Sequence, residues 1–219
     1  MHISEGFLPA AHAIGWWLLA APPLVYSVRR VKSILESNPK SKLELAAVGG
    51  FAFALSALKL PSVSGSCSHP VGSGLGAILL GPACMPAIGF AVLLFQALLL
   101  AHGGLTTLGA NLFSLAIAGP WIAYAVFRLG VTLRLPREGA IFAGAALGGL
   151  ATYTVTAFQL ALAYPASSGG LLTSFWKFLS IFAVTQVPLA LSEGLLTVLV
   201  LRALEKAQIS ASIGKEVRV

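Results

Sequence analysis

Apolar residues in this chain fall in long blocks separated by short polar stretches, with none of the strict alternation that marks a half-buried strand. A helix needs about 20 mostly apolar residues to cross the hydrocarbon layer of a membrane. Blocks of that kind predict spans over residues 9–27, 43–60, 70–81, 84–102, 106–128, 138–164 and 171–203. The third is short for a full crossing, rich in glycine ("HPVGSGLGAILLGP") and bounded by Pro70 and Pro82. The last is long. Its first turns, Leu171–Lys177, are expected to lie along the surface before the chain turns inward, and Pro188 predicts a kink. On the sixth span Ala140, Gly144 and Gly148 recur every four residues, a stripe that lets two helices approach closely. Gln96, Asn111, Gln159, Gln186 and Glu193 lie in apolar surroundings and are expected to face the bundle interior. Glu193 reads as structural or as a contact to a partner subunit, far from the outer face.

Composition turns this pattern into a fold class. Hydrophobic residues make up 57% of the chain and charged ones 10%, with a mean hydropathy of +0.89, whereas a soluble domain carries about 25% charged residues. There is too little polar surface here to face water. The expectation is an all-α integral membrane protein, multi-pass in the cell (inner) membrane. Residues 1–219 form a single membrane domain, with 205–219 as a short cytoplasmic tail. The net charge of +7 would suggest a nucleic-acid partner in a soluble protein. In a membrane protein the distribution of charge decides, and no nucleic acid is implied, only lipid. Cys67 and Cys84 are too few and too scattered for a disulfide framework or a zinc ribbon.

Charge also orients the spans. Arg29, Arg30, Lys32, Lys40 and Lys42 lie between spans one and two, and Arg128, Arg134 and Arg137 between spans five and six. Arg202, Lys206, Lys215 and Arg218 lie in or beside the tail, leaving only Lys59 and Lys177 elsewhere. Basic loops stay in the cytoplasm. A seven-helix bundle with its N-terminus outside and its C-terminus in the cytoplasm fits that partition, and six or eight spans would break it. A cleaved signal peptide would carry its basic residues ahead of the apolar stretch; here they follow it, so the opening segment is expected to remain.

Candidate chemistry gathers on the outer face. Three of the four histidines, His2, His69 and His102, fall on or beside the outer loops 1–8, 61–69 and 103–105. His12 lies just inside span one and is expected to be hydrogen-bonded within the bundle. Imidazole is the commonest metal ligand. A free amine at Met1, the amide nitrogen of His2 and its imidazole Nδ1 can bind one ion through a five- and a six-membered chelate ring. His69 is the best candidate for a fourth nitrogen. Tetragonal nitrogen ligation suits Cu(II) or Ni(II), and imidazole also suits other late first-row ions. Around His69, "SGSCSHPVGSGLGA" offers Cys67 as a softer ligand, although a packing role suits it better. Ser68 and Cys67 are candidate lining residues. Asn111 can support a ligand through a hydrogen bond, and His102 is expected to cap span four or meet headgroups more readily than to bind metal, with a lining or supporting place at the site as the alternative.

Taken together, "MHISEGFLP", "GSCSHPVGSGLGAILLGP", "LLLAHGGLTTLGANLFSLAIAGP" and "QVPLALSEGLLTVLV" resemble the CbiM/NikM family, the substrate-binding membrane subunits of energy-coupling-factor transporters for cobalt and nickel. The resemblance covers nearly the whole chain and weakens near 31–42 and in the tail. It implies a seven-helix fold with the N-terminus drawn into the outer face. It also implies metal ligands at the Met1 amine, the His2 amide and imidazole, and His69. The "SCSHP" form is similar to the cobalt branch, which feeds cobalamin synthesis; nickel is the alternative cargo. No permanent cofactor is implied, with Co(II) or Ni(II) as the transported ligand. The chain has no Walker A pattern, so the energy for transport is expected to come from elsewhere; the resemblance implies a transporter subunit and not an enzyme. The resemblance supplies the partners: a transmembrane coupling subunit, a cytoplasmic ATPase that hydrolyses ATP, and a small accessory membrane subunit. An intramembrane metalloprotease would need H-E-x-x-H, which is absent. A subunit for an organic vitamin would need a roomy aromatic pocket and would have no use for an amine beside His2. A stand-alone channel would need a continuous ionisable path, and only Glu193 lies deep in a span.

Overall fold

In the computed structural model, residues 2–58, 60–61 and 66–206 are described. Met1, Lys59 and the tail beyond Lys206, with Lys215 and Arg218, lie outside them. The order of elements is β1 (His2–Ile3), α1 (Ala10–Ser37), α2 (Ser41–Ala57), β2 (Leu60–Pro61), β3 (Ser66–Ser68), α3 (Ser73–Leu80), α4 (Met85–Leu100), α5 (Leu108–Leu112), α6 (Gly119–Thr132), α7 (Arg137–Ala163) and α8 (Gly170–Lys206). A 3₁₀ turn, Pro82–Cys84, leads into α4, and a π-helical stretch, Phe113–Ala118, joins α5 to α6. Gly119 N–H there donates to Ser114 O, five residues back. That wider register carries the chain past Pro120, which has no N–H to give.

Four stretches among the described residues are long and apolar enough to cross a membrane: Pro82–Leu100, Leu108–Thr132, Arg137–Ala163 and Gly170–Lys206. At a rise of 1.5 Å per residue the 17 residues of α2 reach only about 26 Å, and the 8 of α3 about 12 Å, against a hydrocarbon layer of about 30 Å. The 28-residue α1 is long enough, but Trp16, Trp17, Pro22 and Pro23 dilute its hydropathy. It also runs ten residues past the expected end at 27, to Ser37. Exposed Leu, Val and Trp side chains cover the outside of the bundle, as they must where lipid is the solvent.

The small-residue stripe does what its spacing suggests. A methyl group at Gly148 would lie 2.6 Å from Ala123 Cβ, and one at Gly144 2.8 Å from the Ala123 carbonyl oxygen. Hence α6 and α7 pack backbone to backbone. At the far end of the same pair, Arg137 and Glu138 form ion pairs with Glu205 and Arg202 of α8, which places both basic segments at one end of the bundle.

Three expectations need correction. The chain is not purely helical: β1, β3 and β2 form a small antiparallel sheet in that order, with His2 opposite Cys67 and Leu60 opposite Ser68. Strands of two or three residues leave no periodicity to read. Helix α8 is continuous from Gly170, with no break after Lys177. Glu193 is not remote from the outer loops: its carboxylate accepts hydrogen bonds from Val71 N–H and Gly72 N–H, both at 2.8 Å. Because α3 is so short, its N-terminus lies deep in the bundle, and its orphan backbone donors need an acceptor there. Gly72, at φ +74°, makes the turn into α3. A side chain there would sit 2.9 Å from the Ala52 backbone.

Candidate metal centre

Two elements deliver the histidines that the sequence pairs. The N-terminal strand is pinned by its own third residue. Ile3 N–H donates to Asn111 Oδ1 at 2.8 Å, while Asn111 Nδ2 and Thr107 Oγ1 donate to Ile3 O at 3.0 and 2.8 Å. The Ile3 side chain is fully buried against Trp16, Ala110 and Phe182, which is worth about 1.5–3 kcal/mol. Further along, Gly6 N–H donates to Thr106 Oγ1 and Tyr164 O–H to Phe7 O. The Thr106 hydroxyl donates to Glu5, whose carboxyl it holds below the usual range. Asn111 thus acts one residue from the proposed ligand, by holding backbone.

The loop that carries His69 hangs on α8. Ser68 Oγ meets Thr185 Oγ1 at 2.8 Å, and two residues past Pro70 the chain reaches the Glu193 carboxylate. His69 is fully buried. Its Nδ1–H donates to Pro70 O at 2.7 Å, which fixes the tautomer and leaves the Nε2 lone pair facing outward from the ring. His2 Nδ1 lies 2.6 Å from that Nε2. The sequence-derived pairing of His2 with His69 is therefore a contact in the fold. Burial pushes both imidazoles well below their ordinary pKa, and for His2 the neighbouring His69 and His102 rings add to it. Both are therefore neutral near pH 7, as a metal ligand must be.

Cys67 and His102, two candidate lining residues of the site, lie beside them. Cys67 Sγ is 2.8 Å from His102 Nε2, and ligand atoms of His2, Cys67, His69 and His102 all lie within 4.8 Å of one another. The His2 and His102 ring centroids are 4.2 Å apart. His102 meets neither solvent nor headgroups; it is 2% exposed. Local geometry explains why. Helix α4 ends with Ala101 in the left-handed region (φ 46°), and Ala101 N–H and His102 N–H both return to Gln96 O. The turn folds His102 back over the bundle. Gly103, at φ +76°, then passes so close that a methyl group there would lie 3.0 Å from His2 Cδ2. "AHGG" was legible as a turn; its destination was not. His12, by contrast, is half-buried, and its imidazole forms no hydrogen bond with another described residue.

Beneath the cluster lies a cavity of about 30 Å³, lined by His2, Ser56, Ser73, Gln96 and apolar side chains of α4 and the π stretch. Gln96 Nε2 donates to Ser56 Oγ at 2.6 Å and to Phe53 O at 3.3 Å. Its Oε1 and the buried His2 Nε2 both lack a hydrogen-bond partner among the described residues.

Comparison with known proteins points the same way. The family model CbiM, described as a cobalt uptake substrate-specific transmembrane region, matches residues 2–211. The cobalt transport protein CbiM of Chlorobium limicola is 58% identical over 206 residues, covering 94% of this chain and 81% of that protein. The corresponding protein of a Nostoc species is 60% identical over 200 residues, covering 91% and 77%. Among solved structures, a truncated transition metal transporter superposes with a TM-score of 0.83 at 27% identity, over 94% of this chain and 99% of that one.

Proposed function

Since the chain belongs to the CbiM family of cobalt uptake substrate-specific transmembrane regions, we propose that it captures Co(II) from outside the cell at the His2–His69 centre and passes it inward as the substrate-specific subunit of an ATP-driven transporter. The ligands are the Met1 amine, the His2 amide nitrogen and Nδ1, and His69 Nε2. The observation that carries this reading is the meeting of His2 Nδ1 and His69 Nε2 at 2.6 Å, with the His69 tautomer already set. The two atoms need to move apart only slightly to share one ion. Docking of Ile3 on Asn111 and Thr107 holds the chelating strand in place.

In this reading seven segments make up one membrane domain, with the short α3 as a half-crossing. The N-terminus faces outward, and the tail faces the cytoplasm. Energy comes from a separate ATPase acting through a transmembrane coupling subunit, with a small accessory membrane subunit alongside. Helix α8 is the mechanical link. Its C-terminal end carries the ion-paired Arg202 and Glu205, while Thr185 and Glu193 grip the loop of His69. A displacement of α8 therefore moves one ligand relative to the others.

Calorimetric titration of the purified protein with Co(II) tests the ligand pair. His2→Ala and His69→Ala are each expected to abolish tight binding, and the double variant to be no worse than either single one. Tight binding retained in both single variants would overturn the assignment. Parallel titration with Ni(II) tests nickel as an alternative cargo.

A further inference from the structure

A dication buried among four nitrogens faces a charge deficit. Transfer of an uncompensated ion out of water is costly, and the group around His2 contains histidines and one cysteine but no carboxylate. The deprotonated His2 amide supplies one negative charge. The Glu193 carboxylate is committed to Val71 and Gly72 N–H. That leaves one side chain at the centre able to supply the second charge, Cys67 as its thiolate.

Placement supports the same role. The two cysteines occupy different environments: Cys84 is fully buried in an apolar cluster with Val48, Met85 and Ile88, as a packing cysteine should be. Cys67 is half-buried. It sits on β3 directly opposite His2, with Sγ 2.8 Å from His102 Nε2. His102 is brought there by a left-handed non-glycine residue, Ala101, a conformation that costs about 1–2 kcal/mol and persists where the surroundings require it. We propose that Cys67 and His102 are also ligands of the captured ion, so that the centre binds Co(II) through sulfur and nitrogen and thereby selects it over Ni(II). This rests on the capture of the ion at His2 and His69. Low-spin Ni(II) is content with four nitrogens in a plane, while Co(II) gains from donors beyond them, and geometry with ligand type sets selectivity where raw affinity does not. On binding, the Cys67 thiol gives its proton to solvent and the sulfur lone pair goes to the metal; nothing is oxidised.

The test uses the full chain with its native N-terminus. X-ray absorption at the cobalt edge of the wild-type complex is expected to contain a sulfur scatterer, and the electronic spectrum a near-ultraviolet thiolate-to-cobalt charge-transfer band. Cys67→Ser should remove both and lower Co(II) affinity by about tenfold or more, with a smaller loss for Ni(II). A wild-type complex with only nitrogen and oxygen scatterers overturns the proposal without any variant having to fold. An unchanged Co(II):Ni(II) affinity ratio in Cys67→Ser overturns it too. Failure of the underlying reading looks different: His69→Ala would then leave Co(II) affinity intact whatever the sulfur does.

Discussion

Asn111→Ala separates docking of the N-terminus from ligation itself. The side chain is not a proposed ligand, yet it makes two hydrogen bonds to the Ile3 backbone, at 2.8 and 3.0 Å. Truncation leaves Ile3 N–H buried without a partner, and Ile3 O keeps only the Thr107 hydroxyl. An orphaned buried group costs about 1–3 kcal/mol, and a lost but compensated bond about 0.5–1.5. The docked strand is therefore destabilised by roughly 2–4 kcal/mol relative to an undocked, hydrated one. Since His2 reaches His69 only from the docked strand, the loss appears in metal affinity. At 1.4 kcal/mol per decade, Co(II) binding weakens by about thirtyfold to several hundredfold. Isothermal calorimetry on detergent-solubilised wild type, Asn111→Ala and Thr107→Val would measure it, with Thr107→Val giving the smaller effect because one bond to Ile3 O survives. Wild-type affinity in Asn111→Ala, with the fold intact by thermal unfolding, would refute the idea that backbone docking controls the site.

Other consequences follow from the packing and charge described above. Glu193→Gln presents an amide where two backbone donors need acceptors, and should cost about 1–3 kcal/mol of stability; an unaltered unfolding temperature would contradict that capping role. Gly148→Ala forces a methyl group against Ala123 at 2.6 Å and should destabilise the bundle by about 1–3 kcal/mol, measurable by the same thermal assay. Because burial lowers the pKa of His2 and His69 in the fold, the unfolded chain binds more protons below about pH 6.5. The metal-free protein should therefore lose stability as pH falls from that point through the depressed folded values, and a flat acid limb would argue that the rings are solvated.

The helical segments were legible because lipid demands uninterrupted apolar blocks, and the stripe through Gly144 and Gly148 because close helix contact demands small residues. His2 and His69 were legible together because their chemistry is complementary. What escaped was governed by three-dimensional turns. The three-residue strand that sets Cys67 against His2 has no periodic signature. His102 looked like a helix cap because nothing in "LLLAHGG" says that Ala101 adopts a left-handed conformation. Glu193 looked remote because it was placed by its depth along the last span. Helix α3 is a half-length span, and its buried N-terminus brings the His69 loop down to the carboxylate.

The most direct measurement is Co(II) titration of a chain carrying one extra glycine ahead of Met1. The extension moves the free amine out of chelate range while leaving His2, Cys67, His69 and His102 unchanged. Joint ligation by the Met1 amine and His2 predicts that tight binding is lost, and that it returns when the extra residue is removed by proteolysis. Undiminished affinity in the extended chain would contradict it and leave the ion to the four side chains alone.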